Sequence, residues 1–90
     1  MAQQAIIGYL QALDPLLLQP QYPIPGEGIS VGRDSEQCQV ILSRDFVSRR
    51  HCLIGAENGS VQIADLGTTN GTYVNGIKTQ RQVLRDGDLI

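Results

Sequence analysis

The feature that most constrains the fold of this chain is a series of short apolar segments separated by turn residues. The clearest turn signals are Asn58-Gly59, Asn75-Gly76 and Asp86-Gly87. Asn75-Gly76 is the strongest, because a type I′ hairpin turn needs positive φ at both central residues. Short segments at spacings of about 8–12 residues are typical of a β-sandwich. The sequence therefore predicts an all-β fold in a single domain of 90 residues.

Alternating or continuous apolar segments predict the individual strands. They lie at 29–31, 40–42, 51–54, 61–66, 72–74, 77–79 and 83–84. The stretch 6–13 fits a helix and a strand equally well and ends at Asp14-Pro15, with a further apolar segment at 16–18. Prolines at positions 20, 23 and 25 restrict the next segment to edge or extended structure.

Composition excludes several functional classes. A net charge of −2 argues against a general nucleic-acid binder, which usually carries a basic face. The N-terminal residues lack the pattern of a signal peptide, and no apolar run approaches the roughly 18 residues of a membrane span. Cys38 and Cys52 have no second Cys or His at ligand spacing, which favours free core thiols over a metal or redox site. The sequence predicts a cytoplasmic protein with no metal, no cofactor, and no nucleic-acid or membrane partner.

Three short motifs place polar side chains on loops between the predicted strands. They are Gly32-Arg33, Ser48-Arg49-Arg50-His51 and the segment from Thr69 to Gly76. The planar guanidinium of Arg33 can donate two hydrogen bonds to an oxyanion, and the hydroxyl and amide groups add neutral donors. Each motif alone also fits a solvated strand end or a connecting loop. Together they predict a site that holds an oxyanion.

Two catalytic interpretations of these motifs are disfavoured. A hydrolase built on Ser48 and His51 needs a carboxylate that orients the base and a strained turn that presents the hydroxyl. The surrounding residues contain no glycine elbow, and Asp65 is the only carboxylate that we can propose. The segment 68–71 lacks the Gly-Lys-Ser/Thr ending of a Walker loop. We predict that the protein is not an enzyme and that His51 is structural, its ring nitrogens tying adjacent loops together.

With these motifs in this order on a predicted β-sandwich, the sequence resembles a forkhead-associated (FHA) domain. The matching residues are Gly32-Arg33, Ser48 with His51, Asn70-Gly71-Thr72, Val74-Asn75-Gly76 and the late turn Asp86-Gly87-Asp88. The likeness extends from about residue 6 to residue 90. It implies an eleven-stranded β-sandwich of the SMAD/FHA type that binds phosphothreonine peptides through loops at one end.

The resemblance also implies a role for each matching residue. By this resemblance, Arg33, Ser48 and Thr69 contact the phosphate. Arg49 occupies a variable position whose residue often contacts phosphate or peptide in the family. A hydrogen bond to the peptide backbone falls to Asn70. Support of the site falls to Gly32, His51, Gly71, Asn75 and Gly76. The implied function is a signalling module for phosphorylation-dependent protein–protein interaction. The alternative is an assembly module of the same fold that works independently of phosphate, and the charge of Arg33 distinguishes the two.

The resemblance further implies two strands after the segment 86–90. We therefore expect a single domain over residues 1–90 that is incomplete at its C-terminal end. On that expectation, the backbone of Leu89 and Ile90 lacks partners, and this open edge could pair with a second copy of the chain.

Overall fold

A computed structural model of the chain describes residues 6–13 and 19–90, which form nine β-strands. The strands are β1 (Ile6–Gln11), β2 (Gln21–Pro25), β3 (Ile29–Gly32), β4 (Val40–Ile41), β5 (Cys52–Glu57), β6 (Ser60–Asp65), β7 (Thr72–Val74), β8 (Ile77–Thr79) and β9 (Arg81–Val83). The predicted all-β class is confirmed, and the ambiguous first segment is a strand. The predicted segment 16–18 lies outside the described residues. No helix in the described ranges is long and apolar enough to cross a membrane.

The strands form one five-stranded sheet and two hairpins. The sheet has the order β4-β3-β5-β6-β9, while β1 pairs with β2 and β7 pairs with β8. Strand β5 runs antiparallel to both β3 and β6, with Ile54 opposite Ile29 on one side and opposite Ile63 on the other. Because directly opposed residues share a face, these three side chains project together from the inner face of the sheet.

The core lies between this inner face and the two hairpins. Ile54, Ile63 and Val74 are almost completely buried and belong to one apolar cluster. In β2, Tyr22 and Ile24 are buried in the same cluster, whereas Pro23 between them faces solvent. The alternation places one side of each hairpin against the sheet, so the molecule is a sandwich with an aliphatic core. The proline-containing β2 pairs only with β1 among the described strands, as the sequence predicted.

Two of the predicted turns have the backbone that their sequences require. Asn58 and Gly59 have φ values of 52° and 79° between β5 and β6. Asn75 and Gly76 have φ values of 52° and 81° between β7 and β8. Positive φ at both central residues is the requirement of a type I′ turn, and the predicted hairpin at Asn75-Gly76 is confirmed.

The segment after β9 differs from the sequence-based expectation. A turn does form there, with the amide of Asp88 donating to the carbonyl of Arg85 at 3.0 Å. However, Leu89 is not in a strand, and its backbone is not unpaired. Its amide donates to Asn75 Oδ1 at 3.0 Å, and its carbonyl accepts from the Asn75 amide at 2.7 Å. The prediction of unpaired backbone groups was therefore wrong at Leu89, because the side chain of Asn75 supplies a partner that strand pairing alone does not reveal.

Both cysteines are free and buried, as predicted. Burial raises the pKa of the Cys52 thiol to about 12, and the negative charge of Asp65 adds to the effect. A thiol with so high a pKa stays protonated near neutral pH and is a poor nucleophile. Cys52 is thus a core residue, packed on the inner face of β5.

Candidate functional site

Three loops meet at one end of the five-stranded sheet. They follow β3, precede β5 and follow β6. Because β5 is antiparallel to both neighbours, the end of β3, the start of β5 and the end of β6 lie at the same end of the sheet. This topology brings the first two sequence motifs and the Thr69-Asn70-Gly71 part of the third to one place. Asn75 and Gly76, predicted to support the site, lie instead in the turn at the other end of the β7–β8 hairpin.

Backbone hydrogen bonds join the loop after β3 to the loop before β5. The amide of Arg33 donates to the carbonyl of Ser48 at 3.0 Å, and the amide of Asp34 donates to the carbonyl of Arg49 at 3.1 Å. These bonds hold Arg33 beside Ser48 and Arg49, although 15 or more residues separate them in sequence. Arg33, Asp34 and Arg49 line an open depression of about 330 Å³. The structure thus brings together three of the residues assigned to the phosphate.

Gly32 makes this close approach possible. A Cβ atom at this position would overlap the carbonyl oxygen of Arg49 and lie 2.8 Å from Cys38 Sγ. The Cys38 thiol donates to that same carbonyl at 3.3 Å. The predicted supporting role of Gly32 therefore has a direct cause, since any side chain would push the Arg49 loop away from β3.

The depression carries a net positive charge, because the single carboxylate of Asp34 does not neutralise both Arg33 and Arg49. Among residues 6–13 and 19–90, the guanidinium of Arg33 makes no hydrogen bond or ion pair. The Asp34 carboxylate accepts from the Glu36 amide at 2.9 Å and from Gln37 Nε2 at 2.6 Å. These bonds lower the pKa of Asp34, with a smaller contribution from the charge of Arg49. Asp34 is thus bonded within its own loop, and the Arg33 donors stay available to an anion.

His51 connects the Ser48 loop to the loop after β6. Its Nδ1 accepts from the amide of Ser48 at 3.1 Å, and its Nε2 lies 2.8 Å from the carbonyl oxygen of Gly71. Because Nδ1 accepts, Nε2 must carry the proton and donate to Gly71. This geometry confirms the prediction that the ring nitrogens of His51 tie two loops together.

Asp65 holds the loop after β6, a role that the sequence analysis missed. Its Oδ1 accepts from the hydroxyls of Thr68 and Thr72, both at 2.7 Å. Its Oδ2 accepts from the amides of Gly67 at 3.0 Å and Thr68 at 3.2 Å. Burial raises the pKa of this carboxyl, but the bonds from Thr72 and Thr68 outweigh it and lower the pKa to about 2. The signal in the sequence was an aspartate two residues before Gly67-Thr68. An aspartate side chain at this spacing can accept hydrogen bonds from the backbone amides of those two residues.

Hydrogen bonding from Asp65 passes on to the tip of the loop. The hydroxyl of Thr68, which donates to Asp65, also accepts from the amide of Gly71 at 2.9 Å. Asp65, Thr68, Gly71 and His51 therefore form one connected network that fixes the loop carrying Thr69 and Asn70. In this network both nitrogens of His51 bond to backbone groups, so the ring is not placed as a base for the Ser48 hydroxyl.

Thr69 and Asn70 are exposed at the tip of this loop. Asn70 Nδ2 donates to the carbonyl of Phe46 at 2.9 Å and thereby ties the tip to the loop before β5. The amide oxygen and the second amide hydrogen of Asn70 remain for another partner. The predicted contacts of these two residues with phosphate and peptide stay predictions. Among the described residues, no group of three or more His, Cys, Asp or Glu side chains is placed to hold a metal ion.

The family model of the FHA domain matches residues 29–90 of the chain. The chain belongs to the FHA domain family. All three motif loops lie inside the matched range, and the sandwich agrees with the resemblance seen in the sequence.

Curated relatives share about two thirds of this FHA domain. The oxoglutarate dehydrogenase inhibitor of Corynebacterium diphtheriae is 39% identical over 59 residues, covering 66% of this chain and 41% of the relative. The glycogen accumulation regulator GarA of Mycolicibacterium smegmatis is 41% identical over 59 residues, covering 66% of this chain and 37% of the relative. The chain thus spans about two fifths of the length of these relatives.

Solved FHA domains have the same fold. A chain from a structural and functional analysis of phosphothreonine-dependent FHA domain interactions superposes with a TM-score of 0.78 at 35% identity, covering 89% of this chain and 80% of that one. The FhaA FHA domain, solved in complex with the intracellular domain of another protein, superposes with a TM-score of 0.77 at 35% identity, covering 89% and 85%.

Proposed function

We propose that this FHA domain binds phosphothreonine in partner proteins and so mediates phosphorylation-dependent protein–protein interaction. Arg33, Ser48, Arg49 and Thr69 contact the phosphate, and Asn70 bonds to the peptide backbone. The observation that carries this proposal is the backbone pairing that holds Arg33 beside Ser48 and Arg49 at an open, positively charged depression. The phosphothreonine-dependent interactions named for a similar solved domain support it.

The chemistry of these groups suits a phosphate monoester. Such a group carries about −1.5 to −2 charges near neutral pH and has three acceptor oxygens. Arg33 supplies a planar pair of charged donors, and Ser48 and Thr69 supply directed neutral donors. Fixed loops mean that little conformational entropy is lost on binding, which favours affinity from a small contact area.

We further propose that the domain is a non-catalytic interaction module that acts in the cytoplasm and that residues 1–90 form one unit. Support for the absence of catalysis comes from His51, whose ring nitrogens bond to the backbone of Ser48 and Gly71. The regulator and inhibitor names of the two bacterial relatives point in the same direction.

Titration with matched peptides tests the proposed function. We expect a phosphothreonine peptide to bind with micromolar affinity, about −7 to −8 kcal/mol, and the same peptide with unmodified threonine to bind far more weakly. Calorimetric titration of both peptides under one set of conditions measures the difference. Equal affinities would contradict phosphate recognition and favour an assembly module that is independent of phosphate.

A further inference from the structure

The β7–β8 hairpin places Lys78 next to the loop that carries Thr69 and Asn70. Thr72 and Val74 are buried in the sandwich, so the cross-strand pair at the intervening position faces solvent. That pair is Tyr73 and Lys78, which lie directly opposite each other in the hairpin. The lysine therefore projects from the solvent face of the hairpin, opposite Tyr73, the second residue after Gly71.

The Lys78 side chain lies beside the backbone of Gly71. A Cβ atom on Gly71 would lie 2.8 Å from Lys78 Cε, 3.3 Å from Lys78 Cδ and 3.3 Å from Tyr73 Cε1. Gly71 has a φ of 90° and no side chain, which leaves room for the lysine stem and the tyrosine ring. The stem thus packs on the binding loop beside Asn70, while its charged end reaches solvent.

Among the residues that the structure describes, the Lys78 ammonium group has no anionic partner. Lys78 is the only lysine of the sequence. Within the described ranges 6–13 and 19–90, it makes no hydrogen bond or ion pair. Because the aliphatic part of the Lys78 side chain already lies against Gly71, the side chain loses less conformational entropy when its ammonium group binds an anion.

Resting on the proposed function, we propose that Lys78 is a specificity-determining residue. It selects phosphothreonine peptides that carry an acidic side chain at a position close to Asn70. The phosphate occupies the depression at Arg33 and Arg49, and the extended peptide crosses Asn70. A glutamate or aspartate on that side of the phosphothreonine then meets the Lys78 ammonium.

A series of phosphothreonine peptides tests this assignment. The peptides have alanine flanks and one glutamate, which moves one position at a time along both sides of the phosphothreonine. At about 0.1 M salt, we expect the wild-type domain to bind one glutamate position, or two adjacent ones, roughly 2- to 5-fold more tightly than the all-alanine peptide. Lys78→Met keeps the length of the stem and should abolish this gain. Lys78→Arg should keep it.

Arg81→Met is the matched control, because it removes one positive charge whose guanidinium pairs with Glu57 away from the binding loops. This variant should keep the positional gain. An equal gain in wild type and Lys78→Met, or a gain spread evenly over all positions, would overturn the proposal in favour of general attraction to the arginines. Arg81→Met should bind the all-alanine phosphothreonine peptide as tightly as the wild-type protein does, and the gain of each variant is measured against its own affinity for that peptide. If the wild-type protein fails to bind that peptide, the proposed function itself fails, which is a separate result.

Discussion

Arg33 is the residue on which the proposed recognition of phosphate depends most directly. Its guanidinium is exposed, and its backbone is fixed by the carbonyl of Ser48. We predict that Arg33→Ala weakens binding of a phosphothreonine peptide by roughly 2–4 kcal/mol, because it removes the main charged partner of a bound anion. The melting temperature should change little, since the side chain is outside the core. Calorimetric titration and thermal unfolding of the same preparation measure both quantities.

Arg33→Lys is the informative companion variant. It keeps the charge and loses the planar pair of donors, so its affinity should fall between those of wild type and Arg33→Ala. Undiminished binding by Arg33→Ala would support the phosphate-independent assembly module instead.

Replacing His51, unlike replacing Arg33, should lower both the stability of the fold and the affinity for the peptide. We predict that His51→Ala lowers the free energy of unfolding by about 1–3 kcal/mol, since the amide of Ser48 and the carbonyl of Gly71 both lose their partner. Phosphopeptide affinity should fall as the two loops loosen. Urea unfolding monitored by circular dichroism gives the stability change. An unchanged unfolding free energy with lost binding would indicate direct ligand contact by the ring.

Single residues also show what the sequence can and cannot predict. Motif order and residue chemistry were enough to predict that Gly32, Arg33 and His51 lie together at one end of the sheet, whereas the contact of Arg33 with phosphate stays a prediction. Asp65 was missed as a structural centre, because its four hydrogen bonds involve a loop conformation that forms only once β6 and β7 are placed. Lys78 belongs to no recognisable sequence motif, and only its position beside Gly71 in the structure suggests a role for it.

At the scale of elements, turn chemistry was the most reliable guide. Both Asn-Gly turns lie where the sequence placed them, since few residues other than Asn and Gly accept their backbone angles. Strand limits were less predictable. Strand β9 begins at Arg81, before the apolar residues of that segment, because its register is set by pairing with β6. The stretch 6–13 carried both periodicities, and only pairing with β2 decides for a strand.

The β7–β8 hairpin also anchors the segment after β9 through Asn75. The Asn75 side chain donates to Asp88 Oδ1 at 2.9 Å and accepts from the amide of Leu89 at 3.0 Å. We predict that Asn75→Ala lowers the free energy of unfolding by about 1–3 kcal/mol, because it loses these bonds and strains a turn that needs positive φ. Asn75→Gly should recover the turn but not the bonds. Denaturant unfolding of both variants separates the two contributions.

Phosphopeptide affinity should stay near the wild-type value in both Asn75 variants, since Asn75 lies at the far end of the hairpin from the Asn70 loop. A large loss of affinity without a loss of stability would place Asn75 in the binding surface.

At the scale of the whole molecule, strand order within the five-stranded sheet decides where the site lies. The antiparallel order of β3, β5 and β6 brings motifs from distant parts of the chain to one edge. Sequence patterns predicted a sandwich but could not supply strand order on their own, because order depends on long-range pairing. Resemblance to a family supplied the type of sandwich, which the match to FHA domains confirms, and the strand order comes from the structure alone.

Stability of the whole domain should fall in acid because of Asp65. Its pKa in the folded protein is about 2, below the ordinary value of 3.8. The unfolded chain therefore binds a proton more readily, so the stabilisation is fully present above about pH 4 and is lost as the pH falls towards 2. We expect a loss of about 1–2 kcal/mol, less than the full shift implies because the carboxyl is partly solvated. Asp34 and Asp88 also have lowered pKa values and act in the same direction.

Urea unfolding of wild type and Asp65→Asn between pH 7 and pH 3 isolates this contribution. The variant should be less stable at pH 7, because its amide group faces the amides of Gly67 and Thr68 instead of accepting from both. The stability difference between the two proteins should then shrink as the pH falls below about 4, since Asp65 of the unfolded wild-type chain takes up a proton there before the folded protein does. Loss of phosphopeptide binding has a separate and higher window, because the phosphate itself gains a proton near pH 6. A stability difference that stays constant down to pH 3 would show that the charge of Asp65 does not hold the loop.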